Sequence, residues 1–531
     1  MKKVLLMLVA CVATMSAFAQ NDDVEIDNGW ATFFTPVGDA DDLNAVHVAQ
    51  SSDGSVYVSS TYDQPLTFAK KALADTDGML SSAIFKYDKE GKELWSATLV
   101  GNITITALTV DEDGTLYAAG SFDDEVTYTG AEGGSATIKS EDALSAFVAK
   151  VSKDGKFEAM KVITPEVDEW IDTQMGDPWD EGFEMPLYSA WDPIYVTPNV
   201  IKINGSKLYV AASYKGDVPE LDWQGAYIDV WGMYDDNRSK GIFSLSKSDL
   251  SGAANVLTVQ STDLIALGVQ HYPEALNFDF DADGNLIYGF IGFGNLTITT
   301  PDGSKDFTFE TTEDESGLKD HVLVFGSAGD LTKMKEFTGN KHTAEAIPYS
   351  IEGMTIQDGV LYVAGTTFGP DWFDVSYDGN GKNYVYVTAL DANRSPKWTR
   401  TAANPEDGLE ATMMLVAGEE MHLATHSGVN YTISLSSGDM TEDDADEEKD
   451  DDPMVVVDAA QWGGEYTTVV AVDDNDVTVI FKNLKAEDPD AIESIAVAAA
   501  ADAPAYNLAG QAVDAAYKGI VIKNGQKVLQ K

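Results

Sequence analysis

Residues 46–58 read VHVAQSSDGSVYV, and residues 105–118 read ITALTVDEDGTLYA. Each is a short apolar strand, an acidic turn with Gly, and a second strand rich in Tyr, Val and Ala. The unit returns at 200–210 (VIKINGSKLYV), 276–288 (LNFDFDADGNLIY) and 354–363 (MTIQDGVLYV). Weaker copies stand at 413–423 and 468–480. The matching second-strand positions are Tyr57, Tyr117, Tyr209, Ile287, Tyr362, His422 and Val479. Recurrence at such a period marks repeated antiparallel sheets. A second hairpin follows most copies, clearest where 83–87 (AIFKY) leads through 88–92 to Glu93-Leu94-Trp95. Two hairpins make a four-stranded blade with two apolar faces. No such blade buries both faces alone, so blades stack radially. The expected fold is all-β: a β-propeller of four-stranded blades, seven favoured and six the alternative. Tandem β-sandwiches are the competing architecture, but repeats this short are too small for one sandwich each. Trp30-Ala31-Thr32 matches Trp95-Ser96-Ala97-Thr98 and Trp398-Thr399-Arg400-Thr401. Residues 24–36 are therefore expected to complete the last blade and close the ring with no open edge.

These repeats resemble the secreted bacterial β-propeller families with NHL-like or SBBP-type blades. The Asp-Gly-x-x-Tyr-Val unit and the stretch Ala146-Phe147-Val148-Ala149-Lys150 leading to Asp154-Gly155 carry the resemblance, which spans roughly 24–485. It implies the fold. It leaves binding, scaffolding and catalysis all open, because propellers host each of them.

The chain has 531 residues, 34 Lys plus Arg against 88 Asp plus Glu, and a formal net charge of −54. A nucleic-acid binder needs a basic footprint, and no stretch supplies one. Anionic lipid surfaces are disfavoured for the same reason. Any partner is expected to be neutral or cationic, or bridged by divalent ions. With 44% hydrophobic and 10% aromatic residues, the chain has the material for a large core.

Residues 1–19 read as a signal peptide: Lys2 and Lys3, an apolar run, then Ala17-Phe18-Ala19. Lipidation at Cys11 is the alternative. Cleavage after Ala19 removes the only cysteine, so disulfides and thiol chemistry are excluded from the mature protein. No later apolar run is long enough for a transmembrane segment. The domain plan is thus 1–19 signal peptide, 20–485 propeller, 486–505 Ala-rich linker and 506–531 a small β segment. That last segment carries Tyr506-Asn507-Leu508-Ala509-Gly510-Gln511, then Lys518-Gly519-Ile520-Val521-Ile522, then Asn524-Gly525-Gln526-Lys527-Val528. It resembles the type IX secretion (Por-type) C-terminal sorting segment of exported Bacteroidetes proteins. The resemblance implies an exported protein at the outer-membrane surface or outside the cell, with the periplasm as alternative. A monomer is expected.

The long segments 62–81, 127–143, 215–240, 293–320 and 369–384 all join a second to a third strand, and 164–197 is a blade-to-blade insertion. They emerge on one face, where loops carry function. Six of the ten tryptophans are on that face: Trp170, Trp179, Trp191, Trp223, Trp231 and Trp372. Asp177, Asp180 and Asp235 lie among them. Indoles beside carboxylates suit a glycan or a protein partner. Small satellite cores under the loops would use the same residues. The expected function is therefore partner binding at this face without assigned catalysis. A carboxylate-dependent glycan-active enzyme and a purely structural envelope protein are the alternatives. Calcium is considered at Asp281-Ala282-Asp283-Gly284-Asn285 and Asp111-Glu112-Asp113-Gly114, although hairpin turns explain both and neither has the downstream bidentate Glu. His422 and His426, four apart on a strand, lie too far apart to share a metal. The acidic run 441–452 is expected to be a solvated loop.

Overall fold

A computed structural model describes residues 29–34, 47–63, 67–68, 71–140, 143–166, 194–230, 233–237, 239–261, 274–292, 295–308, 322–338, 350–367, 382–404, 408–442, 454–462, 465–472, 477–484, 505–507, 512–513, 519–523 and 526–530. The chain divides into two compact units, Met1–Asn483 and Leu484–Lys531.

The turns explain why Asp and Gly recur. The Asp88 carboxylate accepts the amides of Glu90 (3.1 Å) and Lys92 (2.8 Å). Asp281 does the same for Asp283 (3.0 Å) and Asn285 (2.8 Å), and Asp391 for Asn393 (2.8 Å) and Ser395 (2.9 Å). The fourth residue of each turn is left-handed: Gly91 has φ +82°, Gly284 +79° and Arg394 +63°. These are five-residue turns built on a carboxylate that folds back on its own backbone, rather than two-residue Asp-Gly turns.

The strands between these turns form antiparallel sheets of four, ordered 1-2-3-4 in the chain. Sheet 1 contains His47–Gln50, Val56–Tyr62, Ser81–Tyr87 and Glu93–Val100. Sheet 2 contains Ile103–Val110, Leu116–Phe122, Ser145–Val151 and Phe157–Ile163. Sheet 3 starts at Tyr195–Asn204, sheet 4 at Glu274–Phe280, sheet 5 at Gly353–Gln357 and sheet 6 at Ala411–Ala417. Sheet 7 contains Met454–Trp462, Glu465–Val472 and Val477–Leu484, and its fourth strand is Gly29–Phe34 from the start of the chain. Trp30 pairs with Lys482 and Phe34 with Thr478. The expected closure by an N-terminal strand is thus present. The first strands of the sheets touch in a closed cycle, from His47–Gln50 round to Met454–Trp462 and back. This is a β-propeller.

Apolar side chains fill the spaces between neighbouring sheets. Tyr117, Ala119 and Val148 of sheet 2 pack on Val196, Val210 and Phe243 of sheet 3. Val58 and Phe85 of sheet 1 pack on Val469 of sheet 7. Both faces of a sheet are thereby buried, which only a ring of sheets allows.

The long links contain more structure than loops. Glu125–Thr129 and Ser135–Lys139 form a hairpin between the second and third strands of sheet 2, yet it pairs onto sheet 1, with Thr127 opposite Val100. Asn295–Thr300 and Gly303–Thr308 of sheet 4 likewise extend sheet 3, with Thr299 opposite Thr258. Each hairpin covers the open edge of the preceding sheet, whose backbone groups would otherwise face water as a sticky edge.

The second unit holds one four-stranded sheet, ordered Ala512–Val513, Ala505–Asn507, Gly519–Lys523, Gln526–Gln530. Its last two strands are joined across the two residues 524–525, as Asn-Gly demands. Among the described residues, no helix is long and apolar enough to cross a membrane.

Candidate functional site: the central channel

The sequence expectation centred on the loop face. Trp170, Trp179, Trp191, Trp231, Trp372, Asp177 and Asp180 lie outside the described residues, as do the leader 1–19 and Cys11. Asp235 is on strand Met233–Asn237, opposite Ile228. Trp223 corrects the expectation. It is 1% exposed, its ring packed on Tyr214 (4.6 Å) and Phe243 (5.9 Å), and its indole N–H donates to Asn255 Oδ1 at 3.0 Å. Gly241 lies directly beneath, where a Cβ would come within 2.5 Å of the indole. Trp223 is therefore a core residue that ties its link down onto sheet 3. Burial of an indole with its N–H satisfied won over exposure.

The described residues instead bring a cavity together at the centre of the ring. Its volume is about 510 Å³, and the first strands of sheets 1, 2, 3, 6 and 7 wall it, with Glu352 just ahead of Gly353–Gln357. A repeated irregularity builds the wall. The first strands bulge between Ile105 and Ala107, Pro198 and Val200, Ala411 and Met413, and Val456 and Asp458. The extra residues Thr106, Asn199, Thr412 and Val457 all line the cavity, as expected of bulges that re-aim a side chain. Two of them also latch sheet to sheet. Thr106 Oγ1 donates to Pro198 O at 2.6 Å, and Thr412 Oγ1 donates to Val456 O at 2.7 Å.

Among the described lining residues, the titratable groups are His47, Asp458 and Glu352. Asp458 Oδ2 accepts the Val48 amide at 2.8 Å and lies 3.5 Å from His47 Nδ1, which joins sheet 7 to sheet 1 across the closure. His47 Nε2 is buried without a hydrogen-bond partner among the described residues. Glu352 is open to the channel's water yet ringed by protein. Desolvation by that protein raises its carboxyl above the usual range. A Ser350 hydrogen bond opposes the rise, and the charge of Glu410 adds to it. Glu410 is itself held by Asn383 Nδ2 at 2.8 Å. Further along the ring, Lys202 Nζ lies 3.3 Å from Asp279 and donates to Met354 O at 3.0 Å.

Other expected groups do not converge on a site. His426 Nδ1 accepts the Glu410 amide at 3.0 Å, while His422 Nδ1 faces Thr432 Oγ1 at 3.5 Å. Asp281 spends its oxygens on the amides of its own turn and on the Asn285 side chain, and Asp111 lies 2.6 Å from Lys247 Nζ. Among the described residues, no three His, Cys, Asp or Glu side chains cluster as a metal site. A second depression of about 510 Å³ lies among the turns of sheets 2 and 3. Two of its lysines already have carboxylate partners, Lys247 with Asp111 and Lys150 with Glu158 at 3.0 Å. The cavity residues escaped the sequence reading because bulges break the alternation that marks a strand. The visible trace was a Thr between apolar neighbours in Ile105-Thr106-Ala107 and Ala411-Thr412-Met413.

No family model and no curated protein matches this chain. Among solved structures, it is similar to YCF48 bound to D1 peptide, at 10% identity and TM-score 0.36 over 88% of this chain and 100% of that one. It is similar to BamB from Moraxella catarrhalis at 10% identity and TM-score 0.33, over 82% and 100%. It is also similar to the β-propeller domain of Cps50 (Swd1) from Myceliophteria_thermophila at 9% identity and TM-score 0.36, over 85% and 99%.

Proposed function

We propose that this chain is an exported, surface-associated β-propeller of seven blades, one per sheet, that binds a protein or glycan partner and carries out no catalysis. The central cavity supports it most: about 510 Å³, open to water and walled by polar side chains from several sheets. The leader-like 1–19 and the sorting-like 506–531 support export from a Bacteroidetes-type cell. The loop tryptophans Trp179 and Trp231, which the sequence reading assigns to the loop-rich face, are part of the proposal, as is bridging calcium.

Peptide display and a glycan array on the purified full chain test it, beside an Asn199→Trp variant that fills the cavity. Asn199 is exposed and is the extra residue of a bulge, so the ring tolerates the change. Binders selected on the wild type and lost on the variant are expected. Equal binding by both proteins, or no binder from either library, overturns the proposal. Release of sugar from any bound glycan overturns its non-catalytic part.

A further inference from the structure

One row of residues recurs in the outer part of the sheets. In sheet 1, Tyr57 stands opposite Lys86 and Lys86 opposite Trp95. In sheet 5 the row is Tyr362, Ala389 and Trp398. In both, the outer-strand indole reaches a turn of the next sheet. Trp95 Nε1 donates to Lys153 O at 3.0 Å, and Trp398 Nε1 donates to Leu435 O at 3.1 Å. In both, a left-handed glycine of that turn makes room for the ring. A Cβ on Gly155 would stand 2.8 Å from Trp95 Cδ2, and one on Gly438 would stand 2.6 Å from Trp398 Cδ2.

Sheet 2 has the same row with a different end. Tyr117 stands opposite Lys150, and Lys150 opposite Ala159. The turn of sheet 3 that it faces, 246–251, is built like the turn 434–439 of sheet 6. In each, the first amide donates to the sixth carbonyl and the fifth amide donates back to the first carbonyl, at 2.8–2.9 Å. In each, the hydroxyls of the first and third residues meet, Ser246 with Ser248 at 2.9 Å and Ser434 with Ser436 at 3.2 Å. The fifth residue is left-handed in both, Gly438 at φ +71° and Leu250 at +58°. A leucine is disfavoured there, because its Cβ crowds the following carbonyl oxygen. Leu250 is nevertheless 2% exposed, within the apolar cluster of sheets 2 and 3 on which Ala159 also packs. The carbonyl that accepts an indole N–H in the other two seams is here Lys247 O, and it accepts the Tyr117 hydroxyl at 3.0 Å.

We propose that Leu250 and Ala159 form an inverted key, with the large side chain on the turn and the small one on the outer strand, which fixes sheet 3 as the neighbour that follows sheet 2. Sheets built on one repeat are prone to assemble in the wrong order. Sheet 1 set against the turn of sheet 3 would drive Trp95 into Leu250. Sheet 2 set against the turn of sheet 6 would leave a void between Ala159 and Gly438. Overlap or a cavity thus penalises each wrong neighbour. The left-handed strain at Leu250 persists because filling this seam outweighs it.

Ala159→Trp, Leu250→Gly and the double variant test the key in the full chain, by urea unfolding and by refolding yield on dilution. Each single variant should raise the unfolding constant at least about tenfold, the first through overlap and the second through a cavity. The double variant gives this seam the key of the other two. It should recover most of that loss, so the two changes are strongly non-additive. Where a single variant fails to fold, folding of the double is the same result. The double variant should also refold with a lower yield than wild type and leave more aggregate, because sheets 1, 2 and 5 then fit one another's neighbours. Leu250→Gly as stable as wild type, additive losses, or a double variant that does not fold overturns the key. A double variant that refolds as fully as wild type overturns its role in ordering the sheets.

Discussion

Gly438→Ala should unlock sheet 5 from sheet 6. Trp398, in the outer strand of sheet 5, reaches across to the last turn of sheet 6, where its indole N–H donates to Leu435 O at 3.1 Å. Gly438 lies against the ring: a Cβ there would stand 2.6 Å from Trp398 Cδ2. Its φ of +71° also disfavours any L side chain. The backbone effect costs about 1 kcal/mol. The overlap with a ring pinned by its own hydrogen bond adds about 1–3 kcal/mol, so about 2–4 kcal/mol is expected in all. The same lock recurs between sheets 1 and 2. Trp95 Nε1 donates to Lys153 O at 3.0 Å, and a Cβ on Gly155, at φ +84°, would stand 2.8 Å from Trp95 Cδ2. Gly359→Ala is the control, with φ +75° and nothing within 4 Å of its Cβ; it should cost only the backbone part, about 1 kcal/mol. Urea unfolding followed by tryptophan fluorescence and circular dichroism measures both variants. Adding Trp398→Ala to Gly438→Ala should recover the overlap but not the backbone cost. If Gly438→Ala costs no more than Gly359→Ala, the indole is not the reason for that glycine.

Three further outcomes are expected. Trp223→Ala should lower stability by about 3–5 kcal/mol through the cavity left in the core, seen as a fall in the unfolding midpoint; a midpoint unchanged from wild type contradicts its burial. Thr106→Val and Thr412→Val should each cost about 1 kcal/mol by deleting an inter-sheet hydrogen bond, and the double variant should be additive because the two latches share no partner. Burial pushes the Asp53 carboxyl up, but hydrogen bonds from Ser51 (2.6 Å) and the Ser55 amide (2.9 Å) prevail and hold it at about 2. Because the folded value lies below the ordinary 3.8, its stabilisation is present above that ordinary value and is lost as pH falls toward 2. Carboxylate NMR should show Asp53 titrating near 2, and Asp53→Asn should flatten the acid limb of the stability profile; a normal titration near the ordinary value refutes the turn's role.

The repeat, the four-stranded unit and the closing strand were legible in the amino-acid order alone, although the copy at 468–480 falls on the second and third strands of its sheet rather than the first and second. Those rest on local chemistry: a Tyr-Val strand after an Asp-bearing turn reads the same wherever it stands, and Trp30 repeats the pattern of Trp95 and Trp398. The edge hairpins were not legible, because the partner of Thr127 is Val100 in another sheet and no spacing announces it. Of the two readings for Trp223, a binding platform or a satellite core, the sequence could not choose, since a tryptophan in a long acidic link looks alike whether it faces water or a glycine on the sheet below. The cavity is the fullest case. His47, Asp458, Glu352, Thr106 and Asn199 are far apart in the chain and lie at positions where bulges break strand alternation. Only the closing of the ring, which sets the first strand of the last sheet beside the first strand of the first, brings their side chains to one space.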